Sequence, residues 1–238
     1  MQHFQQSAFV LHRRAQGETS LLVTFFTPEF GKLQANVRGV RTRSKASTQK
    51  QAWLQPFQPL SIQWQAHSAS VDWIYPRSYE PVGPPFLLQA RASVCGLYLN
   101  ELLYRLLQPA MAMDNLYYCY HQTLDALSQA DEKNQAWLLR LFEWDLLVEL
   151  GYEIPLLETH AAQPIDPQAY YRWHESGGWW LSDEHDSYAI CGDCLHQLAY
   201  RRRCDRCGAA LKRLLRGLLQ PHLGTKPLAT RQLLIVKG

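Results

Sequence analysis

At Pro81, Pro84 and Pro85 the hydrophobic rhythm of the chain changes. Before these prolines apolar residues alternate, the period of a half-buried strand. After them they recur about every 3.6 residues, the period of a helix. No single layer carries both patterns, so the chain is committed to an α+β, multidomain architecture with its linker at the prolines.

The first part reads as five short strands: Ser7–His12, Ser20–Phe26, Lys32–Val40, Leu60–Gln65 and Val71–Tyr75. Thr27–Gly31 is a tight turn, and Arg41–Pro59 is a long, basic loop poor in large apolar residues. Five strands with a long loop after the third predict a small closed barrel, an OB-fold, over residues 1–80. Residues 81–152 predict a helical domain. Cys95, Leu99, Leu102 and Leu106 form one stripe, Leu116–Leu127 a second helix and Asn134–Leu150 a third, closed by Gly151. Residues 153–238 form a C-terminal region. It holds a hairpin around Gly177-Gly178, two cysteine pairs, a helix over Ala209–Leu219 ended by Pro221, and a last helix near Leu228–Val236. The closing helices are expected to pack on the helical domain.

With 47% hydrophobic and 19% charged residues, wholesale disorder is excluded. No apolar run reaches the roughly 18 residues of a membrane span. The N-terminus lacks a secretion-signal pattern, which predicts a cytoplasmic protein. The net charge of +3 hides a segregation. Residues 1–80 carry nine Lys/Arg against four acids, 81–190 five against fifteen, and 191–238 ten against two. Basic ends around an acidic middle point to a polyanion at the ends; the middle either repels it or docks a basic partner.

Cys191, Cys194, Cys204 and Cys207 form two Cys-x-x-Cys turns, each aiming two sulfurs at one point. Two such turns supply a tetrahedral four-thiolate site, which predicts structural zinc, although the nine-residue gap is shorter than the usual roughly fifteen to twenty. Seven cations lie within Arg201–Arg216. They are either phosphate contacts, with Lys212, Arg213 and Arg216 foremost, or charges that are solvated or neutralise the thiolates. The barrel offers another basic set: Arg13, Arg14, Lys32, Arg38, Arg41, Arg43, Lys45 and Lys50. Phe25, Phe30 and Trp64 either stack on bases or fill the core. Motifs for nucleotide hydrolysis, dinucleotide binding, serine hydrolysis and zinc proteolysis are missing from the sequence. The one carboxylate–histidine cluster, Asp183-Glu184-His185-Asp186, lies in a polar stretch and reads as a solvated loop.

Several runs resemble the RecO family. They are Glu18-Thr19-Ser20-Leu21-Leu22, Arg38-Gly39-Val40-Arg41, Leu54-Gln55-Pro56-Phe57 with Pro59-Leu60, and Tyr98-Leu99-Asn100-Glu101-Leu102-Leu103. Gly151-Tyr152, Leu223-Gly224 and Lys226-Pro227-Leu228 with Arg231 continue the pattern in the family's order. The resemblance implies a non-enzymatic DNA-binding protein of RecF-pathway DNA repair and recombination. Such a protein anneals complementary strands and helps load RecA onto single-stranded DNA coated by single-strand-binding protein (SSB). It also implies contacts with single- and double-stranded DNA, RecR and the SSB C-terminal tail. Arg140 lies beside an apolar stripe at a position matching an arginine of related proteins. It is expected either to bind the tail carboxylate or to pair with Glu143. One departure stands out: many members carry their first cysteine pair soon after the Gly-Tyr, whereas Leu157–Ala162 here has no cysteine. The competing function is a metal-dependent nuclease with an OB-fold substrate domain; a third is a zinc-ribbon protein of transcription or translation.

Overall fold

The computed structural model describes residues 1–66, 73–175 and 177–235. The chain divides into two compact units, Met1–Ala130 with Lys226–Gly238, and Asp131–Thr225.

The first unit opens with β1 (Gln2–Gln16), β2 (Ser20–Thr27), β3 (Gly31–Val37), α1 (Lys45–Trp53), β4 (Leu60–Ala66), β5 (Trp73–Ile74) and β6 (Ser78–Pro81). The strand order is β5-β3-β2-β1-β4-β6. All pairs are antiparallel except β3 with β5. The long β1 changes partner midway. Its first half pairs with β4, from Gln2↔Ala66 to Ala8↔Leu60, and its second half with β2, from Phe9↔Phe26 to Gln16↔Ser20. A register shift between Val10 and His12 marks the handover. A strand that changes partner at a bulge bends, and the sheet curls into a half-barrel. Val10, Val23, Phe25, Leu33, Leu60, Ile62 and Trp64 fill its inside.

The outer face of β1 and β2 is covered by α2 (Ala90–Leu106) and α3 (Asp114–Gln129). Phe9 meets Tyr120 edge-on with ring centroids 5.1 Å apart, and Phe26 meets Tyr117 at 5.4 Å. Burial on both faces explains why Leu21–Phe26 shows no alternation. The Asn100 amide donates to the Val10 carbonyl at the register shift, and Tyr120 donates to Asn100 at 2.5 Å. Gly31 has φ +53, and a Cβ there would strike the Met111 carbonyl of the α2–α3 connection.

Three features depart from the expectation of a closed five-stranded barrel. The sheet is curled and six-stranded, since Ser78–Pro81 adds β6 to the edge of β4. The expected loop Arg41–Pro59 contains α1. Ser44 caps it by accepting from the Ser47 amide at 3.1 Å, and the Ser47 hydroxyl accepts from the Thr42 amide at 3.0 Å. Of the strand expected over Val71–Tyr75, Val71 and Asp72 lie outside the described residues, and Trp73–Ile74 forms β5.

The second unit contains α4 (Glu132–Glu149), β7 (Tyr170–His174), β8 (Gly178–Ser182), β9 (Ile190–Cys191), α5 (Gly192–Ala199) and α6 (Gly208–Leu223). The strands form a sheet in the order β8-β7-β9. Asp131 caps α4 by accepting from the Asn134 amide at 2.8 Å, and Gly151 follows it at φ +74. Helix α6 packs on α4 through a buried stripe of Leu211, Leu215, Leu219 and Leu223. Pro221 does not end α6; it sits in the last turn, and Gly224 at φ +68 closes the helix. A proline there costs one backbone bond near an end, where few bonds remain to lose. A closing helix, α7 (Ala229–Ile235), belongs to the first unit and packs on α2. The Glu101 carboxylate accepts from the Ala229 and Thr230 amides, both at 2.9 Å, and from the Thr230 hydroxyl.

Periodicity divides the chain at 80 and 152; compactness divides it between Ala130 and Asp131. Helices α2 and α3 go with the half-barrel because their apolar faces cover its outer side. No described helix is long and apolar enough to cross a membrane.

Candidate functional site

The cations of the half-barrel fall into two classes. Arg13 is half-buried and donates to the Gln51 carbonyl and to Gln55 Oε1 at 2.8 Å, tying β1 to α1 and the turn after it. Lys32 donates to the Tyr104 carbonyl at 2.9 Å and lies over the Tyr104 ring, which fastens β3 to α2. Burial pushes the pKa of both groups down. Arg41 donates to the Gly17 carbonyl at 2.7 Å and so joins the β1–β2 turn. These three side chains have structural duties. By contrast Arg14, Arg43 and Lys45 are exposed and make no hydrogen bond or ion pair among the described residues. Arg38 is exposed and stacks over Tyr75, its guanidinium carbon 5.0 Å from the ring centroid. Arg43 and Lys45 flank the Ser44 cap, so α1 presents them at its first turn.

The second basic set is largely answered inside its own unit. Arg201 forms a bidentate pair with Asp145 at 2.7 and 2.8 Å. Arg203 pairs with Asp205 at 2.7 Å and donates to Asn134, and Arg206 pairs with Asp193 at 2.5 Å. Arg213 donates to the Ala189 carbonyl at 3.1 Å, while Lys212 is exposed and Arg216 is half-buried. The basic C-terminal segment is therefore answered in part by its own two acids, Asp193 and Asp205, and by Asp145 of the acidic middle.

The cysteines are gathered only in part. Cys194 and Cys207 form a disulfide. Cys191 does not join the other sulfurs: its thiol donates to the Pro167 carbonyl at 3.2 Å. Among the described residues, the one group with ligand atoms all within 4.8 Å of one another is Asp193, Cys204 and Cys207. A turn of 3-10 helix, Asp205–Cys207, brings the second pair together, the Cys207 amide donating to the Cys204 carbonyl at 3.2 Å. Hydrogen bonds from Gln197 and Arg206 hold the Asp193 carboxyl below its usual range, so it stays an anionic donor. The expected four-sulfur set is thus replaced by two sulfurs and a carboxylate. Asp193 lies inside the first Cys-x-x-Cys, and that proximity was its only sequence signal.

Arg140 is 4% exposed, and its guanidinium donates to Glu143, itself fully buried, at 2.7 Å. It takes the helix-pairing role and is not displayed to a partner. Phe25, Phe30 and Trp64 lie in the half-barrel core, out of reach of stacking bases. In the Asp183–Asp186 loop, Glu184 and His185 are exposed, and Asp186 accepts from Arg172 and Ser182.

The sequence matches known proteins along nearly its whole length. The family profile described as recombination protein O N terminal matches residues 1–75, and that described as recombination protein O C terminal matches residues 88–232. A protein of Vibrio vulnificus named DNA repair protein RecO is 38% identical over 232 residues, covering 97% of this chain and 92% of the relative. Its namesake in Nitrosococcus oceani is 37% identical, covering 96% and 92%. The protein of that name in Haemophilus influenzae is 38% identical, covering 98% and 96%. With both halves matched in order and relatives well above 30% identity, the chain belongs to the RecO family of DNA repair proteins.

Proposed function

We propose that this chain is a recombination mediator: it anneals complementary DNA strands and helps load RecA onto SSB-coated single strands, with RecR and the SSB C-terminal tail as partners. The observation that carries the proposal is the set of exposed cations without a partner among the described residues, Arg14, Arg43 and Lys45, on the half-barrel of a RecO-family chain. Two DNA strands repel until their phosphates are neutralised together, and a basic surface supplies that neutralisation without bond chemistry. On this account the protein is not an enzyme. Arg38 and Arg41 add to the three leading contacts, with Arg13 and Lys32 holding the surface in shape. Lys212, Arg213 and Arg216 form a secondary patch. The Arg140 side chain, turned to Glu143, supports α4 from inside and does not touch the tail. A cytoplasmic, nucleoid-associated location follows from the proposed substrate.

Structural zinc belongs to the same proposal. Once the Cys194–Cys207 bond is reduced, the Cys194 and Cys207 thiolates join Cys204 and Asp193, a donor set that fits a borderline-soft cation. The metal would fold the knuckle and take no part in annealing.

Fluorescence-monitored annealing of complementary oligonucleotides, bare and SSB-coated, tests the function. The proposal expects acceleration of both, retained in EDTA. Acceleration of neither, or strand cleavage that needs a divalent ion, overturns it.

A further inference from the structure

The first unit has a pocket of about 400 Å³, within the roughly 300–1,000 Å³ range of small-ligand sites. The six side chains that give it its chemistry are Asn36, Arg38, Lys50, Tyr75, Arg77 and Tyr79. Three are cations, and among the described residues no carboxylate lines the pocket.

Two of these residues carry a polar atom that is buried without a hydrogen-bond partner among the described residues: the Tyr79 hydroxyl and the Asn36 amide oxygen. Tyr79 is only 8% exposed. Its place is set by pairing with Ile62 across β4–β6 and by the Trp53 ring of α1, 6.4 Å away and edge-on. A buried hydroxyl left unsatisfied costs free energy, and such a group in a pocket wall awaits a ligand's partner atom. Burial pushes the Tyr79 pKa up to about 12, so near neutral pH the group is a neutral phenol able to donate. Tyr75 is half-exposed and already carries the Arg38 guanidinium over its ring, so its face is a platform for flat groups.

We propose that this pocket takes one unstacked nucleotide of a single strand. Its phosphate lies among Arg38, Lys50 and Arg77, its base lies against Tyr75, and the base edge reaches Tyr79 and Asn36. An anion alone would use the cations and leave the two buried polar atoms unpaired; an apolar ligand would leave the cations idle. The inference rests on the annealing function proposed above and specifies where that surface holds a base out of the stack. A strand held with a base displayed in this way cannot refold on itself, which favours pairing with its complement.

The test uses a thymidine oligonucleotide with one central 2-aminopurine, whose fluorescence reports unstacking, titrated with the full-length protein. Tyr79→Phe keeps the ring in the core and removes the hydroxyl. Tyr75→Ala, on the surface, removes the platform. The inference expects each variant to weaken single-strand binding about tenfold, the scale of one stacked base, and to abolish the fluorescence change. Tyr79→Phe should leave the salt dependence of binding unaltered, because no phosphate contact is lost. Thymidine 5′-monophosphate should compete, whereas inorganic phosphate at equal concentration should not. If both variants bind and report like the wild type, or phosphate competes equally, the pocket inference is overturned while the annealing function stands. If the wild-type protein binds no strand, the function itself is at fault.

Discussion

Arg140 and Glu143 lie one turn apart in α4, and both are withdrawn from water. Removing one partner of a buried pair costs more than the pair contributes, because the other charge keeps its desolvation penalty. Arg140→Ala is therefore expected to destabilise the protein by about 3–5 kcal/mol in a urea melt. An unchanged melt with weakened binding of an SSB tail peptide would return Arg140 to a partner-facing role. Whether an arginine is displayed or committed was not legible from the sequence at most positions. The i,i+3 spacing of Arg140 and Glu143 made their pairing one of two options. The partners of Arg201 and Arg13, by contrast, lie 56 and 42 residues away, beyond any local pattern. Arg14, Arg43 and Lys45 look no different from Lys32 along the chain; only the fold separates solvated charges from structural ones.

Elements with a strong hydrophobic period could be read directly. Strands β2 to β4 and helices α2 to α4 lie where their apolar patterns put them. The α1 helix escaped notice because Lys45–Trp53 is polar and has no apolar stripe; its one signal was Ser44, a capping residue without an amphipathic run behind it. Strand β6 has four residues and a single large apolar side chain, Tyr79. The cysteine spacing was plain, but spacing does not say which sulfurs meet. Cys191, the residue before α5, donates its thiol to the Pro167 carbonyl, and Asp193 takes the place nearer the second pair. Protein purified under reducing conditions is expected to carry about one zinc per chain. Cys204→Ser should release it and raise hydrogen exchange around α5, leaving the half-barrel protected. Metal-free reduced protein in elemental analysis, with the knuckle still protected, would contradict the zinc site and leave the knuckle to its packing and hydrogen bonds.

At the scale of the molecule, the two basic ends differ in kind. In the second unit Asp145, Asp193 and Asp205 answer Arg201, Arg206 and Arg203. In the first, Arg14, Arg43 and Lys45 are unanswered among the described residues. The net charge of +3 conceals this, because a count of charges is blind to which ones are paired. The half-barrel is accordingly the proposed primary contact with DNA. Its most direct test is the salt dependence of single-strand affinity for the wild type and for Arg43→Ala with Lys45→Ala. Both residues are exposed at the start of α1, so the fold should persist. Losing two phosphate contacts should lower the slope of log K against log salt by about 1.4 and weaken binding most at low salt. An unaltered slope with unaltered affinity would contradict the account and move the DNA off the half-barrel.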